Sequence, residues 1–197
     1  MHGSLTLRAR KLCLTALILI ASPCAFADAN VYLGLGLGVG DIDLSGDVSG
    51  SGEFDTAALG GENALVAEFK FGVQLSSGWL AEISFDDYES VSLLLVDSVD
   101  YDAVRFGAGY SSPSANPFGF SARIGLAFWD LELRESPLFN PGSEARFETD
   151  GEDLYLQIGG EFHAADNWRI GLDFDYSDTD FGTVRALKIN TRFLFGR

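Results

Sequence analysis

The sequence predicts an all-β protein, an eight-stranded antiparallel up-and-down transmembrane β-barrel. Three observations carry this. Long stretches alternate apolar and polar residues with a period of two, so each would be a strand whose faces meet different surroundings. No charge falls on the apolar parity of any strand core. Lipid would enforce that absence, because a lysine or arginine there costs about 2–4 kcal/mol at the bilayer midplane. Finally, long and short connections alternate along the chain, as in barrels that keep short turns on one side of a membrane.

The first 27 residues read as a cleaved secretory signal and residues 28–197 as the barrel domain. Arg8, Arg10 and Lys11 form a charged start, and Leu12 to Ala21 an apolar run too short to span a bilayer. Two A-x-A sites follow, Ala25-Phe26-Ala27 and Ala27-Asp28-Ala29. Cys13 and Cys24 both lie in this segment, so the mature chain has no thiol and His163 as its one histidine. Most catalytic and zinc templates fall away with them, and no cofactor is expected. Three bases also leave, which makes the mature chain more acidic than the formal −16 of the whole. A nucleic-acid partner is thereby disfavoured. After the signal no apolar run reaches helical membrane-spanning length, so a spanning chain must close into a barrel that pairs all its backbone groups.

Strand one sets Val31, Leu33, Leu35, Leu37 and Val39 against Tyr32, Gly34, Gly36 and Gly38. Three glycines on one face suit a narrow lumen, where opposing side chains need the space. Strand two sets Leu65, Ala67, Phe69, Phe71, Val73 and Leu75 against Val66, Glu68, Lys70, Gly72 and Gln74. After Ser76-Ser77-Gly78, strand three sets Trp79, Ala81, Ile83 and Phe85 against Leu80, Glu82 and Ser84. Strand four carries Val104, Phe106, Ala108 and Tyr110 opposite Arg105, Gly107 and Gly109. Strand five carries Phe118, Phe120, Ala122, Ile124, Leu126 and Phe128 opposite Gly119, Ser121, Arg123, Gly125 and Ala127. In strand six Leu154, Leu156, Ile158 and Phe162 oppose Tyr155, Gln157, Glu161 and His163; in strand seven Trp168, Ile170, Leu172, Phe174 and Tyr176 oppose Arg169, Asp173 and Asp175. The closing strand sets Leu187, Ile189, Thr191, Phe193 and Phe195 against Lys188, Asn190, Arg192 and Leu194. Pro113, Pro117, Pro137 and Pro141 all fall between strands, where a missing N–H breaks no ladder.

Aromatic residues gather at the strand ends, as the two membrane interfaces require. Trp79, Tyr110, Phe118, Trp168 and Phe195 mark one rim; Phe85, Phe128, Trp129 and Tyr176 mark the other. The long connections span roughly Gly40–Asn63, Asp86–Asp102, Asp130–Asp153 and Ser177–Arg185, and the first two hold twelve acids and no base.

On the polar parity Glu68, Glu82, Glu161, Asp173 and Asp175 nearly balance Lys70, Arg105, Arg123, Arg169, Lys188 and Arg192. Charges in a narrow interior must pair, because an uncompensated buried ion costs several kcal/mol. The expectation is a salt-bridge network that plugs the lumen, either as packing or as a gate for small ions. Asp41, Asp43 and Ser45 resemble the start of a calcium loop, although its closing glutamate is missing: Gly52 stands at that position. A solvated acidic loop is the expectation there; the alternative is a divalent cation bridging the loop to lipopolysaccharide phosphates. His163 beside Glu161 could form a base pair for catalysis, but it lies next to a short turn with no nucleophile in view, and a structural role is expected.

The second half of the chain resembles the small eight-stranded outer-membrane β-barrel proteins, the group of the OmpA transmembrane domain and OmpX. The resemblance lies in Arg123-Ile124-Gly125-Leu126-Ala127-Phe128-Trp129-Asp130, in Tyr155-Leu156-Gln157-Ile158-Gly159-Gly160-Glu161-Phe162, and in Asp166-Asn167-Trp168 with the strand after it. It implies the outer membrane of a Gram-negative cell, both termini in the periplasm, outer-membrane lipid and lipopolysaccharide as surroundings, and insertion by the barrel assembly machinery. That machinery reads a final strand ending in an aromatic residue; here Gly196 and Arg197 follow Phe195. A structural or surface-interaction role, in envelope integrity or adhesion through acidic extracellular loops, is the expected function, and no enzymatic activity is expected. The alternatives are a small porin-like channel and a lipid A-modifying enzyme, and the latter would need its histidine at the opposite end.

Overall fold

The computed structural model describes residues 29–44, 62–90, 98–113, 116–134 and 146–196. Eight strands follow one another: β1 (Ala29–Leu44), β2 (Glu62–Leu75), β3 (Trp79–Ser90), β4 (Ser98–Ser111), β5 (Phe118–Arg134), β6 (Arg146–Ala165), β7 (Trp168–Thr179) and β8 (Gly182–Phe195). Each pairs antiparallel with its sequence neighbour, and β1 pairs with β8, so the sheet closes into a barrel. Closure removes the unpaired edges that a bilayer would not tolerate. The signal segment and its cleavage sites lie outside the described residues.

The alternation read from the sequence decides the faces. In β7 and β8 exposed and buried residues alternate almost without break. The exposed parity is the apolar one: Leu37 is 71 % exposed, Ile189 64 % and Phe118 74 %. Apolar surface of this extent all round a barrel is a lipid-facing wall. At the end carrying the two chain termini the connections are short. Gly78 takes φ 96° in one turn, with its N–H donating to the Leu75 carbonyl at 2.9 Å. On the rim there, Trp79 packs edge-on against Tyr110 and Trp168 stacks on Phe193.

The strands run 12 to 20 residues, beyond the roughly 9–11 a tilted crossing needs. They reach well into segments expected as loops. β1 continues through Leu44, β3 through Ser90 and β5 through Arg134, and β7 meets β8 through Asp180 and Phe181 alone. The long Ser177–Arg185 connection expected from sequence is therefore a tight turn. Asp41 and Asp43 are strand residues, paired in register with Arg185 and Thr183 of β8. An extended strand holds alternate residues about 7 Å apart instead of curling them round an ion, which corrects the calcium-loop reading; Ser45 lies outside the described residues.

Trp129 is the other correction. Expected on the outer rim, it shares the parity of Arg123 and points inward, 2 % exposed. Phe85 and Tyr176 of the same expected rim do face out, and Phe128 is half-exposed beside them.

Glycine sets how closely the interior packs. Gly107 and Gly125 are directly paired between β4 and β5, with Tyr155 laid over them. A Cβ on Gly125 would overlap the backbone carbonyl of Phe106, whereas a Cβ on Gly160, on the outer face, would meet nothing within 4 Å. Gly125→Ala is expected to lower stability by about 1–3 kcal/mol, the usual cost of overpacking, and Gly160→Ala to leave it unchanged. Urea midpoints of the two refolded variants in lipid vesicles check this.

Candidate functional site

The inward parity of the strands builds an interior of two storeys. The half nearer the short turns holds the charges. All eleven charged residues expected in the lumen are buried there: Glu68, Lys70, Glu82, Arg105, Arg123, Glu161, Arg169, Asp173, Asp175, Lys188 and Arg192. The structure adds Asp86, the first residue of the expected Asp86–Asp102 connection. Because β3 runs on past Phe85, Asp86 keeps the inward parity of Glu82 and Ser84 and is 2 % exposed. With it, six carboxylates face six bases.

Lys188 is the hub of the network. Its Nζ lies 2.6 Å from Glu68 Oε1, 2.5 Å from Asp175 Oδ2 and 3.1 Å from Asp86 Oδ2. Those three carboxylates could cage a metal ion; in this barrel the caged cation is the chain's own ammonium. Arg105 spans Asp86 and Asp175 at 2.7 and 2.6 Å, and its second Nη donates to the Tyr88 hydroxyl at 3.0 Å. Lys70 meets Glu68 at 2.7 Å. Arg123 meets Glu82 at 3.2 Å and donates to Gln157 at 2.7 Å, and Tyr32 donates to Glu82 at 2.6 Å. Nearest the turns, Glu161 takes Arg192, Arg169 at 3.4 Å and the Ser111 hydroxyl at 2.9 Å. Polar neighbours on this scale offset the desolvation that a bare buried ion would suffer.

These long side chains cross the barrel because β1 gives them room. Lys70 and Arg192 lie against Gly34, Glu68 against Gly36 and Lys188 against Gly38. The glycine face seen in the sequence is thus a trench for ion pairs.

The second storey, towards the long connections, is apolar. Ile42, Leu44, Val66, Tyr88, Val99, Tyr101, Trp129, Leu131, Leu133, Phe181 and Val184 form one buried cluster with Ala64, Ala103 and Ala186. Tyr101 stacks on Trp129, and Phe181, from the tight β7–β8 turn, folds in edge-on against Trp129 at 4.7 Å. The Trp129 indole N–H donates to Asp153 at 2.7 Å. The expected long connections contain Ile42, Tyr88, Val99, Tyr101, Leu131 and Leu133, which take inward faces because the strands run on through them.

His163 sits at the turn end, its Nε2 3.9 Å from Glu161 Oε2. The hydroxyl closest to that carboxylate, Ser111, donates to Glu161, and among the described residues no hydrogen bond joins His163 to a hydroxyl.

Outside the barrel, at the level where the apolar wall ends, the register lines up carboxylates. Asp87 is directly opposite Asp102, Asp102 opposite Asp130, and Asp130 opposite Asp150. All four face outward. Partial burial and then the neighbouring carboxylates, Asp87 and Asp130 first, raise the pKa of Asp102; burial and then Asp150 raise that of Asp130. Asp102 thus binds a proton more tightly folded than unfolded. Its ionised form costs stability at neutral pH, and the cost fades as pH falls through the folded pKa. Asp102→Asn is expected to raise stability by up to about 1 kcal/mol at neutral pH, the scale of a like-charged cross-strand pair. The gap to wild type should close on acidification, as read from urea midpoints across pH.

The model of the outer membrane protein beta-barrel domain matches residues 12–194. The chain belongs to that family. Solved structures of the same architecture include Neisserial surface protein A (NspA), at 12 % identity and TM-score 0.64 over 85 % of this chain and 99 % of that one. Ail, the attachment invasion locus protein of Yersinia pestis, was solved with the heparin analogue sucrose octasulfate; it matches at 14 % identity and TM-score 0.58 over 85 % and 99 %. The N-terminal barrel of Pseudomonas aeruginosa OprF matches at 13 % identity and TM-score 0.57 over 84 % and 98 %. No curated protein matches the chain. Family and barrel together give an outer-membrane protein; at these identities the likeness to solved structures is one of fold.

Proposed function

We propose that this protein is a closed outer-membrane barrel that acts through its external surface, in envelope integrity or adhesion, and not through its lumen. The observation that carries this reading is the two-storey interior: a paired charge network beneath an apolar, aromatic core. An ion crossing the barrel would have to break buried ion pairs and then pass a storey filled mainly by aliphatic and aromatic side chains, so the channel reading needs both to open. An eight-stranded interior is just wide enough for side chains, which supports closure. A lipid A-modifying activity has little support, because His163 lies at the turn end beside Glu161 and apart from the long connections.

In this reading the short turns and both termini face the periplasm, and the long connections face outward among lipopolysaccharide. The barrel assembly machinery inserts the chain. The outer end is rich in acids, so the surfaces it meets directly would be cationic, or joined to it through divalent cations. A polyanion of the kind bound to Ail would be repelled.

The test is a set of cells expressing the intact chain, no chain, or a variant with residues 45–61, 91–97 and 135–145 replaced by short Gly-Ser connectors. Detergent resistance and adherence should fall in the second and third alike, with the variant still folded in the outer membrane. A variant that behaves as the intact chain would overturn the reading.

A further inference from the structure

We propose that Glu68, Asp86 and Asp175 form a binding site for a primary ammonium, of which Lys188 is the tethered occupant. The barrel deprived of that side chain takes up a free alkylammonium ion in its place.

The site is built from three strands and filled from a fourth. Glu68 stands on β2, Asp86 on β3 and Asp175 on β7, and Lys188 reaches them from β8. One oxygen from each carboxylate lies within 4.8 Å of the others, and the ammonium sits among them at 2.5, 2.6 and 3.1 Å. A primary ammonium carries three N–H donors and no acceptor, one donor for each carboxylate. All four side chains are 2 % exposed or less, so these groups answer to one another and not to bulk water.

Charge selects a monovalent ion. Lys70 meets Glu68, and Arg105 meets both Asp86 and Asp175. Those two bases leave the three acids one positive charge short, and Lys188 supplies it. Geometry favours nitrogen over a divalent metal. Mg²⁺ holds its oxygens at about 2.0–2.1 Å, and Ca²⁺ at about 2.3–2.6 Å with roughly six to eight of them. Here three carboxylates open to as much as 3.1 Å around the centre, with two bases against their other sides.

Room for a free ion comes from the stem. The Lys188 chain runs beside Gly38, where a Cβ would fall 2.8 Å from its Cγ. Cutting Lys188 back to alanine removes Cγ, Cδ, Cε and Nζ, the heavy atoms of propylammonium. It leaves a slot of that length, ended by the three carboxylates. The slot lies inside the barrel, so it stands or falls apart from any role of the external surface.

Lys188→Ala in the mature chain, refolded into lipid vesicles at neutral pH and constant ionic strength, tests this with propylammonium as the probe. At the variant's urea midpoint the folded-to-unfolded ratio should rise about tenfold once the amine reaches about ten times its dissociation constant, as one site requires. Methylammonium spans less of the slot and should do less; tetramethylammonium has no N–H to donate and should do nothing. Wild type, its site filled, should not respond. Lys188→Met should not respond either, because its side chain keeps the slot full at the same net charge. Lys188→Ala with Glu68→Gln lacks one of the three acceptors and should lose most of the effect. If Lys188→Ala does not refold unaided, heat-modifiable gel mobility becomes the readout, and the amine should bring back the folded band. No response to propylammonium by either readout would overturn the proposal. So would an equal response in wild type or Lys188→Met, which would place the amine on the outer acids. A response to Ca²⁺ in place of the amine would also overturn it and make the cage a metal site.

Discussion

Lys188→Met should lower the stability of the refolded barrel by about 3–5 kcal/mol, the cost of leaving buried charges without their partner. The size follows from geometry. One ammonium is a shared ion-pair partner of Glu68, Asp86 and Asp175, all three contacts within 3.1 Å and all fully enclosed. Without it, Lys70 and Arg105 must serve the same carboxylates. Methionine keeps the volume of the side chain that lies along Gly38, so the loss is electrostatic rather than a cavity. Combining Lys188→Met with Asp175→Asn should cost less than the two single changes summed, because the second removes a charge the first has stranded. Urea titration in lipid vesicles, followed by circular dichroism and gel mobility, reads both. A single-variant loss within about 0.5 kcal/mol, the range of ordinary surface changes, would mean that the network is solvated and the lumen wet.

Trp129→Ala should cost a similar amount, about 3–5 kcal/mol as for large aromatic truncations in soluble cores. Trp129 is the largest side chain in the apolar storey, held between Tyr101 and Phe181 with its N–H on Asp153. Trp129→Phe separates the contributions: it keeps most of the ring packing and loses the hydrogen bond, so a loss of about 1–3 kcal/mol is expected. If Trp129→Ala were as stable as wild type, the storey would be a loose mouth and not a core. Neither variant should open the barrel alone, since each leaves the other storey in place.

The sequence made the barrel legible because a period of two survives along every strand, and lipid enforces it more strictly than water does. Ile189 beside Lys188 and Leu37 beside Gly38 leave one choice of face. The eleven lumenal charges were legible for the same reason. What misled was the assumption that a strand stops where the membrane does. Asp86, Asp87 and Asp102 look like loop residues because carboxylates cluster there, yet pairing continues through them, so parity and not hydropathy decides which way each points. Asp86 turns inward to Lys188 and Arg105, while Asp87 and Asp102 face out. Trp129 misled in the opposite way. An aromatic residue next to Phe128 at a strand end reads as girdle, and only its odd-numbered parity, shared with Arg123, Leu131 and Leu133, places it inside. The lateral match of Asp87, Asp102, Asp130 and Asp150 could not be read at all, because register between strands depends on pairing that a single strand's pattern does not contain.

The closed interior is tested most directly by planar-bilayer conductance of the mature protein, with insertion shown independently by protease protection of the barrel. Wild type should be silent, and so should Lys188→Met and Trp129→Ala taken singly, while the two changes together give the first measurable current. Discrete openings of the wild-type barrel, altered by Lys188→Met, would contradict the account and make the lumen the functional site.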